Sequence, residues 1–253
     1  MASIKDKFTV KKKGISIIAN PEFIPETTEV DEIIKYFDIQ QYKTDAKVID
    51  VHYGRGKTYL IQDSYNRRVI FRHYWRGGLI GKVLGDKFLS FFGSSHRSFR
   101  EYDLLQTMKK MGLPVPKPIA AKEEKSLFFI RNDIALQEIP GTKNLGEILA
   151  DRRLTDVEIV KIGDAIGRLF KAGIYHSDLN ITNILFDGAD NVWIVDFDKC
   201  VQRTISKKQY HEMVNRLKRS FDKFKENRNN FHWSEYDFSK LLPAIKSSYE
   251  KNY

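Results

Sequence analysis

The sequence predicts an α+β fold with two lobes, a small β-rich amino-terminal lobe over residues 1–137 and a larger, mostly helical lobe over residues 138–253. Short apolar and β-branched runs separated by turn residues dominate the first half, whereas helical periodicity dominates the second. Between them, residues 137–141 contain a proline and a glycine, which favours a hinge. A chain of 253 residues is long enough for two lobes around a shared cleft.

The amino-terminal lobe is predicted as an antiparallel sheet with one helix. The turn residues between its first three runs favour a meander. The predicted strands cover residues 48–52, 58–62, 68–73, 119–121 and 127–131. The predicted helix covers residues 96–111. Leu105 and Met108 recur there at helical spacing, and Gly112 ends the pattern. Residues 1–45 carry no pattern that predicts their role.

The carboxy-terminal lobe begins with the most strongly patterned helix of the chain. Thr155 and Glu158 have the spacing of a capping box, an apolar face follows, and Gly173 ends the helix. Two short strands and two further helices are predicted over residues 184–186, 192–195, 207–225 and 234–249. This order of elements predicts a loop between the capped helix and the first short strand.

Composition narrows the class of protein. The single cysteine, Cys200, excludes intramolecular disulfides, and no stretch approaches the ~20 apolar residues that span a bilayer. The charged first residues do not resemble a signal peptide, so a soluble cytosolic protein is expected. The net charge of +10 predicts attraction to polyanions. Nucleic acid, nucleotide phosphates and anionic lipid are all candidate partners of this kind.

Two polar segments carry the strongest functional signal. The first, residues 175–183, reads Tyr-His-Ser-Asp-Leu-Asn-Ile-Thr-Asn and contains Asp178 and Asn183. The second contains Asp196, directly after an apolar strand. Phosphoryl transfer needs a carboxylate to orient the attacking hydroxyl and oxygen ligands for Mg²⁺. Asp178 is the candidate for the first role, and Asn183 and Asp196 are the candidate metal ligands.

These segments resemble the catalytic loop and metal-binding turn of the protein-kinase-like fold, since H-x-D-L-x-x-x-N is intact and D-F-D stands where many kinases have D-F-G. The resemblance implies ATP and Mg²⁺ as cofactors, with the ATP site in the cleft between the lobes. It also implies a glycine-rich loop over the phosphates at Gly54 and Gly56, although an ordinary hairpin turn uses the same residues. A P-loop is excluded, because Val51 occupies the position of its first glycine.

The resemblance assigns three further residues to nucleotide binding. Arg72 stands where the third strand of a kinase usually carries a phosphate-contacting lysine, and an exposed strand-end arginine is the alternative. Glu101 is its expected ion-pair partner, although it also lies three residues after Ser98, as a capping-box glutamate would. Glu138 lies in the hinge. His176 is expected to brace the catalytic loop rather than to transfer protons.

The acceptor is predicted to be a small molecule or glycan, because no A-P-E sequence or long activation segment follows the metal turn. The segment Arg-His-Tyr-Trp-Arg-Gly-Gly over residues 72–78, together with the catalytic loop, resembles the 3-deoxy-D-manno-octulosonic acid (Kdo) kinase family. The resemblance covers roughly residues 48–220. It implies ATP-dependent phosphorylation of the 4-hydroxyl of Kdo on a lipid A precursor, in lipopolysaccharide core synthesis.

The same resemblance implies a peripheral protein on the cytoplasmic face of the bacterial inner membrane, with the anionic surface and the glycolipid acceptor as partners. Residues 77–92 mix lysines with large apolar side chains and are a hypothetical lipid-contacting segment or a loop folded onto its own lobe. Arg76, Lys199 and Arg203 are candidates for gripping the acceptor on charge and position alone. No nucleic acid and no obligate protein partner are expected.

Three alternatives remain open at this point. A kinase for another core sugar, such as a heptose, could use the same catalytic loop. A pseudokinase would bind nucleotide without catalysis, although retention of Asp178, Asn183 and Asp196 argues against it. A nucleic-acid-binding module is supported by charge alone.

Overall fold

A computed structural model of the protein describes residues 6–53, 57–75, 86, 88–89, 96–228 and 230–250. The described residues divide into two compact units. The first unit takes the segments Met1–Gln106 and Lys117–Glu138, and the second takes Thr107–Pro116 and Ile139–Tyr253. Within the described residues, no helix is long and apolar enough to cross a membrane.

The first unit is built on an antiparallel sheet. Its strands are β1 (Phe8–Lys12), β2 (Ile15–Ala19), β3 (Val48–Tyr53), β4 (Lys57–Gln62), β5 (Arg68–His73), β6 (Phe88–Leu89), β7 (Pro118–Ser126) and β8 (Phe129–Gln137). The strand order is β1-β2-β7-β8-β5-β4-β3, with β6 paired to β8. Every pairing is antiparallel, so the mixed α/β class with a mostly antiparallel sheet is confirmed.

The amino-terminal residues, for which the sequence predicted nothing, form part of this sheet and its cover. β1 and β2 extend the sheet beyond β7, and two short helices follow, α1 (Val30–Lys35) and α2 (Ile39–Thr44). The aromatic side chains of Tyr36, Phe37 and Tyr42 pack on Phe71 of β5 with ring centroids 5.4–5.9 Å apart. Burial of these large rings is the main driving force for docking such short helices.

Helix α3 (Arg97–Lys110) lies within the predicted range 96–111. Tyr102, Leu105 and Met108 are fully buried, and Gly112 ends the helix with a φ of 68°. The strand predicted at residues 127–131 begins later, because Leu127 is 82% exposed at the β7–β8 turn. β8 then continues to Gln137 through the buried apolar run Ile134–Leu136.

The second unit is mostly helical. Its helices are α4 (Leu145–Asp151), α5 (Asp156–Lys171), α6 (Lys207–Glu226) and α7 (Glu235–Glu250), and its short strands are β9 (Lys143–Asn144), β10 (Ile174–Tyr175), β11 (Ile184–Phe186), β12 (Val192–Ile194) and β13 (Val201–Gln202). The predicted capping box of α5 is present: Thr155 accepts from the Glu158 amide, and Glu158 accepts from the Thr155 amide. Asn144 and Ser206 form two more capping boxes, at α4 and α6.

Helices α5 and α7 pack at close range through glycines. A Cβ on Gly163 would lie 2.4 Å from the Cβ of Ala244, and one on Gly167 would lie 2.5 Å from the carbonyl oxygen of Ile245. The two glycines therefore let the α7 backbone approach α5. This packing fixes α5, and the chain that leaves α5 carries the polar loop described next.

Candidate active site

The loop that follows α5 is held by His176. This side chain is fully buried, and its Nδ1 accepts a hydrogen bond of 3.2 Å from the backbone amide of Asp178. Its Nε2 lies 3.1 Å from the carbonyl oxygen of Val195, to which it donates. Burial lowers the pKa of His176, which keeps the ring neutral and suits one acceptor and one donor nitrogen. His176 thereby ties the Asp178 loop to the chain that leads into Asp196.

Asp178 and Asn183 lie at the two ends of this loop. The side chain of Asp178 is 60% exposed, whereas Asn183 is buried. The Nδ2 of Asn183 donates to the carbonyl oxygen of Asp178 at 2.9 Å, and a short 3₁₀ turn at Ile181–Asn183 brings the two together. Because the amide nitrogen is used, the Oδ1 of Asn183 is the atom left to accept from or ligate another group.

Asp196 follows β12 in a left-handed conformation, with a φ of 63°. Such a conformation is uncommon outside glycine and is tolerated by aspartate, and it recurs at functional sites. The backbone on either side is anchored. Val195 donates to the carbonyl oxygen of Asn183 at 3.0 Å, and Phe197 is buried with its ring centroid 5.0 Å from that of His176. Asp178, Asn183 and Asp196 thus lie on two segments joined by direct hydrogen bonds.

Helix α6 contributes a residue that sequence analysis missed. The Nη1 of Arg216 lies 4.0 Å from the Oδ1 of Asp178. The helix packs along the loop, since the amide of His176 donates to the sulfur of Met213 and the amide of Ile181 donates to Ser220. The buried face of α6 includes Met213, Leu217 and Phe221. That apolar spacing is the signal that could have placed Arg216 at the edge of the face against the loop.

In the first unit, the predicted pair of Arg72 and Glu101 is present. The Nη2 of Arg72 contacts both carboxylate oxygens of Glu101, whose side chain is only 2% exposed. Tyr74 donates its hydroxyl to the same carboxylate at 2.5 Å. Ser98 instead hydrogen-bonds to Asn132 and to the carbonyl oxygen of Lys122, so it does not cap α3 with Glu101. The ion-pair interpretation of Glu101 is therefore the one that the contacts support.

The remaining predicted site residues are placed as follows. Glu138 comes directly after β8, and its carboxylate pairs with the guanidinium of Arg68. Gly54, Gly56 and Arg76 lie outside the described residues, as do residues 77–85, 87 and 90–92 of the hypothetical lipid-contacting segment. Lys199 is exposed, with a φ of 63°. The guanidinium carbon of Arg203 lies 4.5 Å from the ring centroid of Tyr175.

Comparison with known proteins identifies the family. The "Lipopolysaccharide kinase (Kdo/WaaP) family" matches residues 40–244. The chain belongs to this family. It is therefore a phosphotransferase that acts on a sugar hydroxyl, and a kinase of this kind uses ATP as phosphoryl donor.

Several similar proteins are named 3-deoxy-D-manno-octulosonic acid kinase. The 3-deoxy-D-manno-octulosonic acid kinase of Vibrio parahaemolyticus serotype O3:K6 is 38% identical over 214 residues, which are 83% of this chain and 87% of the relative. The enzymes of that name from Vibrio cholerae serotype O1 and Pasteurella multocida are 37% and 35% identical, over 83% and 84% of this chain and 86% and 90% of their own length. The family resemblance read from the catalytic loop and residues 72–78 is confirmed.

A solved structure titled "WaaP in complex with acyl carrier protein" is similar in fold. It matches with a TM-score of 0.55 at 14% sequence identity, covering 87% of this chain and 88% of that one. At this identity the likeness concerns the fold alone. It supports a mixed α/β fold like that of this lipopolysaccharide kinase.

Proposed function

We propose that the protein is an ATP-dependent kinase that phosphorylates the 4-hydroxyl of Kdo on a lipid A precursor during synthesis of the lipopolysaccharide core. The observation that carries the chemistry is the joined pair of segments with Asp178, Asn183 and Asp196. The choice of acceptor is supported by the curated relatives, which are Kdo kinases at 34–38% identity over most of the chain. The lobes proposed over residues 1–137 and 138–253 differ from the two compact units mainly in one segment, since Thr107–Pro116 falls in the second unit.

Asp178 is the proposed catalytic residue. Its carboxylate is exposed and is anchored through its own backbone, which donates to His176 and accepts from Asn183. It can therefore accept a hydrogen bond from the attacking hydroxyl and take its proton as the oxygen–phosphorus bond forms. The backbone anchors hold the carboxylate in place, which is how positioning lowers the barrier to transfer.

Asn183 and Asp196 are the proposed ligands of Mg²⁺. An amide oxygen and a carboxylate are hard donors of the kind Mg²⁺ takes, and the free Oδ1 of Asn183 fits that role. When bound with the nucleotide, the ion neutralises charge that develops on the phosphates. Both proposed ligands are held in place by the protein. Asn183 is buried and hydrogen-bonded, and Asp196 is positioned by the backbone contacts of its neighbours.

Nucleotide binding is assigned to residues of the first unit. Arg72 is the proposed contact for the nucleotide phosphates in place of the usual lysine, and Glu101 orients it. A guanidinium can bind phosphate oxygens with two parallel hydrogen bonds, so the replacement keeps the chemistry. Gly54 and Gly56 are proposed for the phosphate-covering loop and Glu138 for the nucleotide-binding hinge segment.

The protein is proposed to act as a peripheral protein at the cytoplasmic face of the inner membrane. The acceptor is a glycolipid, so the hydroxyl that reacts lies at a membrane surface. A net charge of +10 favours attraction to that anionic surface.

The decisive experiment measures transfer of labelled γ-phosphate from Mg-ATP to Kdo-bearing lipid A precursor. Wild type is expected to label the glycolipid. Asp178→Ala is expected to lower turnover by at least ~10²-fold, because it removes both the hydroxyl-orienting contact and the proton acceptor. Asp151→Ala is the matched control, since Asp151 is an exposed carboxylate at the end of α4 in the same unit.

Each alternative has its own outcome in this assay. Rapid transfer by Asp178→Ala would overturn the role of Asp178. Labelling of a heptose-bearing acceptor, but not of the Kdo precursor, would favour a kinase for another core sugar. A folded wild type that binds Mg-ATP and labels no acceptor would favour the pseudokinase.

A further inference from the structure

Helix α6 carries a row of cations that begins beside Asp178. Arg216, Arg219 and Lys223 stand at positions i, i+3 and i+7, which share one face of an α-helix. The row starts at the guanidinium of Arg216, 4.0 Å from the Asp178 carboxylate. Seven residues of helix extend about 10 Å. The row therefore runs from the catalytic carboxylate over a distance comparable to one or two sugar rings.

The charges of this row are not used in holding the fold together. Arg219 and Lys223 are exposed, and neither side chain has an ion-pair or hydrogen-bond partner among the described residues. Lys218, on another side of the same helix, contrasts with them, since it pairs with Glu235 at 2.7 Å and with Asp222 at 3.6 Å. Two unpaired cations near an active carboxylate leave their charge available to a ligand.

The contact between Arg216 and Asp178 is loose. Both side chains are substantially exposed, at 41% and 60%, and 4.0 Å is the outer limit of an ion pair. Exposed pairs of this kind contribute about 0–1 kcal/mol. An oxyanion that offers the guanidinium two parallel hydrogen bonds would bind it more strongly. Arg216 can therefore turn to a ligand without a large cost.

We propose that Arg216, Arg219 and Lys223 bind an anionic group of the acceptor, a carboxylate or a phosphate, and so hold its hydroxyl at Asp178. This inference rests on the proposed function of the site. Transfer brings the γ-phosphate, the Asp178 carboxylate and an anionic glycolipid together, and their mutual repulsion opposes binding. A row of cations next to Asp178 offsets that repulsion on the acceptor side and selects for acidic acceptors.

The test separates acceptor binding from chemistry. Arg219→Gln/Lys223→Gln removes two charges without touching Asp178. We expect its KM for the Kdo-bearing precursor to rise by about tenfold or more, because even one lost hydrogen bond to a charged group costs at least that factor. The kcat and the KM for Mg-ATP should stay at their wild-type values. Assays are run in neutral detergent micelles, so that general attraction to an anionic surface does not contribute.

The matched control is Lys207→Gln/Lys225→Gln. These lysines are exposed on the same helix, and each lies nine residues from Arg216. Nine residues are two and a half helical turns, so both lysines lie on the side of the helix opposite Arg216. The control removes the same net charge from α6 and is expected to leave the acceptor KM unchanged. Equal acceptor KM values for Arg219→Gln/Lys223→Gln and for this control would overturn the inference.

Two acceptor variants identify the anion. If the row binds the sugar carboxylate, esterifying that carboxylate removes the difference in KM between wild type and Arg219→Gln/Lys223→Gln. If it binds a phosphate of the lipid anchor, removing the phosphates has the same effect. A difference that survives both changes would contradict the inference. Absence of transfer by wild type would overturn the proposed function itself, which distinguishes the two failures.

Discussion

His176 is the residue on which the geometry of the site depends most. Both of its ring nitrogens are used, one accepting from the Asp178 amide and one donating to the Val195 carbonyl. A protonated ring could not accept from that amide. The pKa of His176 lies below its ordinary value of 6.5 because burial disfavours the charged form. The sequence alone indicated a bracing role, and the contacts explain it.

This pKa predicts how stability depends on pH. The unfolded chain takes up the proton near pH 6.5, whereas folded His176 takes it up only at lower pH. Its contribution is therefore complete above about pH 6.5 and is lost as the pH falls towards the folded pKa. We expect the free energy of unfolding of wild type to approach that of His176→Gln as the pH is lowered from about 7 towards the folded pKa of His176.

Urea unfolding of both variants over this range checks the prediction. His211→Gln is the control, because His211 is an exposed histidine on α6. The control is expected to run parallel to wild type. A constant gap between wild type and His176→Gln over the whole range would contradict the assignment of a lowered pKa to His176.

The Arg72–Glu101 pair gives a second prediction for single residues. Glu101 is buried and also accepts from Tyr74, so removal of Arg72 leaves a buried, uncompensated charge. Arg72→Met is expected to lower the free energy of unfolding by about 3 kcal/mol. Arg72→Met/Glu101→Gln should be less destabilised, because its neutral amide still accepts from Tyr74. Chemical denaturation measures both, and a double variant less stable than the single one would contradict this account.

Capping boxes and apolar periodicity were the sequence signals that best predicted the bounds of helices and strands. The bounds of β5 and β11 and the start of α5 follow from local pattern, since each is specified by its own residues and immediate neighbours. The sheet positions of β1 and β2 were not predictable, because strand pairing joins residues far apart in the chain. Ile18, for example, is paired with Ala121 of β7.

The packing of α5 on α7 gives a prediction for helices. Gly163→Ala would place a Cβ 2.4 Å from that of Ala244 and 3.0 Å from backbone atoms of α7. The helices must separate, so we expect a loss of about 2–3 kcal/mol in the free energy of unfolding, despite the better helix propensity of alanine. Gly188→Ala is the control, because a Cβ there meets nothing within 4 Å. Equal melting temperatures for the two variants would contradict the close approach.

For the protein as a whole, net charge is a property that follows directly from counting residues in the sequence. The surplus is ten positive charges, from 43 basic and 33 acidic side chains. Charge of this sign is common to proteins that bind nucleic acid, nucleotides or anionic lipid, so it did not choose among them. The family shows a kinase, which accounts for nucleotide as one of these ligands.

The proposed peripheral location predicts salt-dependent binding to vesicles. We expect the apparent affinity for vesicles with anionic lipid to fall by about tenfold or more as salt rises from about 0.05 M to about 0.5 M, because screening shortens the range of attraction. Neutral vesicles are the control and should bind weakly at both concentrations. Co-sedimentation measures the effect. Binding to anionic vesicles that does not change with salt would contradict an electrostatic role for the net charge.

The sequence by itself indicated a kinase, because the pattern that resembles a kinase catalytic loop is local: Asp178, Asn183 and neighbouring residues occur at fixed spacing. It also indicated the family through residues 72–78. Only the tertiary structure decided that Glu101 pairs with Arg72 rather than capping α3, and that Arg216 of α6 lies beside Asp178. These contacts join residues 29 and 38 positions apart, and such distances in space are set by packing, which no local spacing encodes.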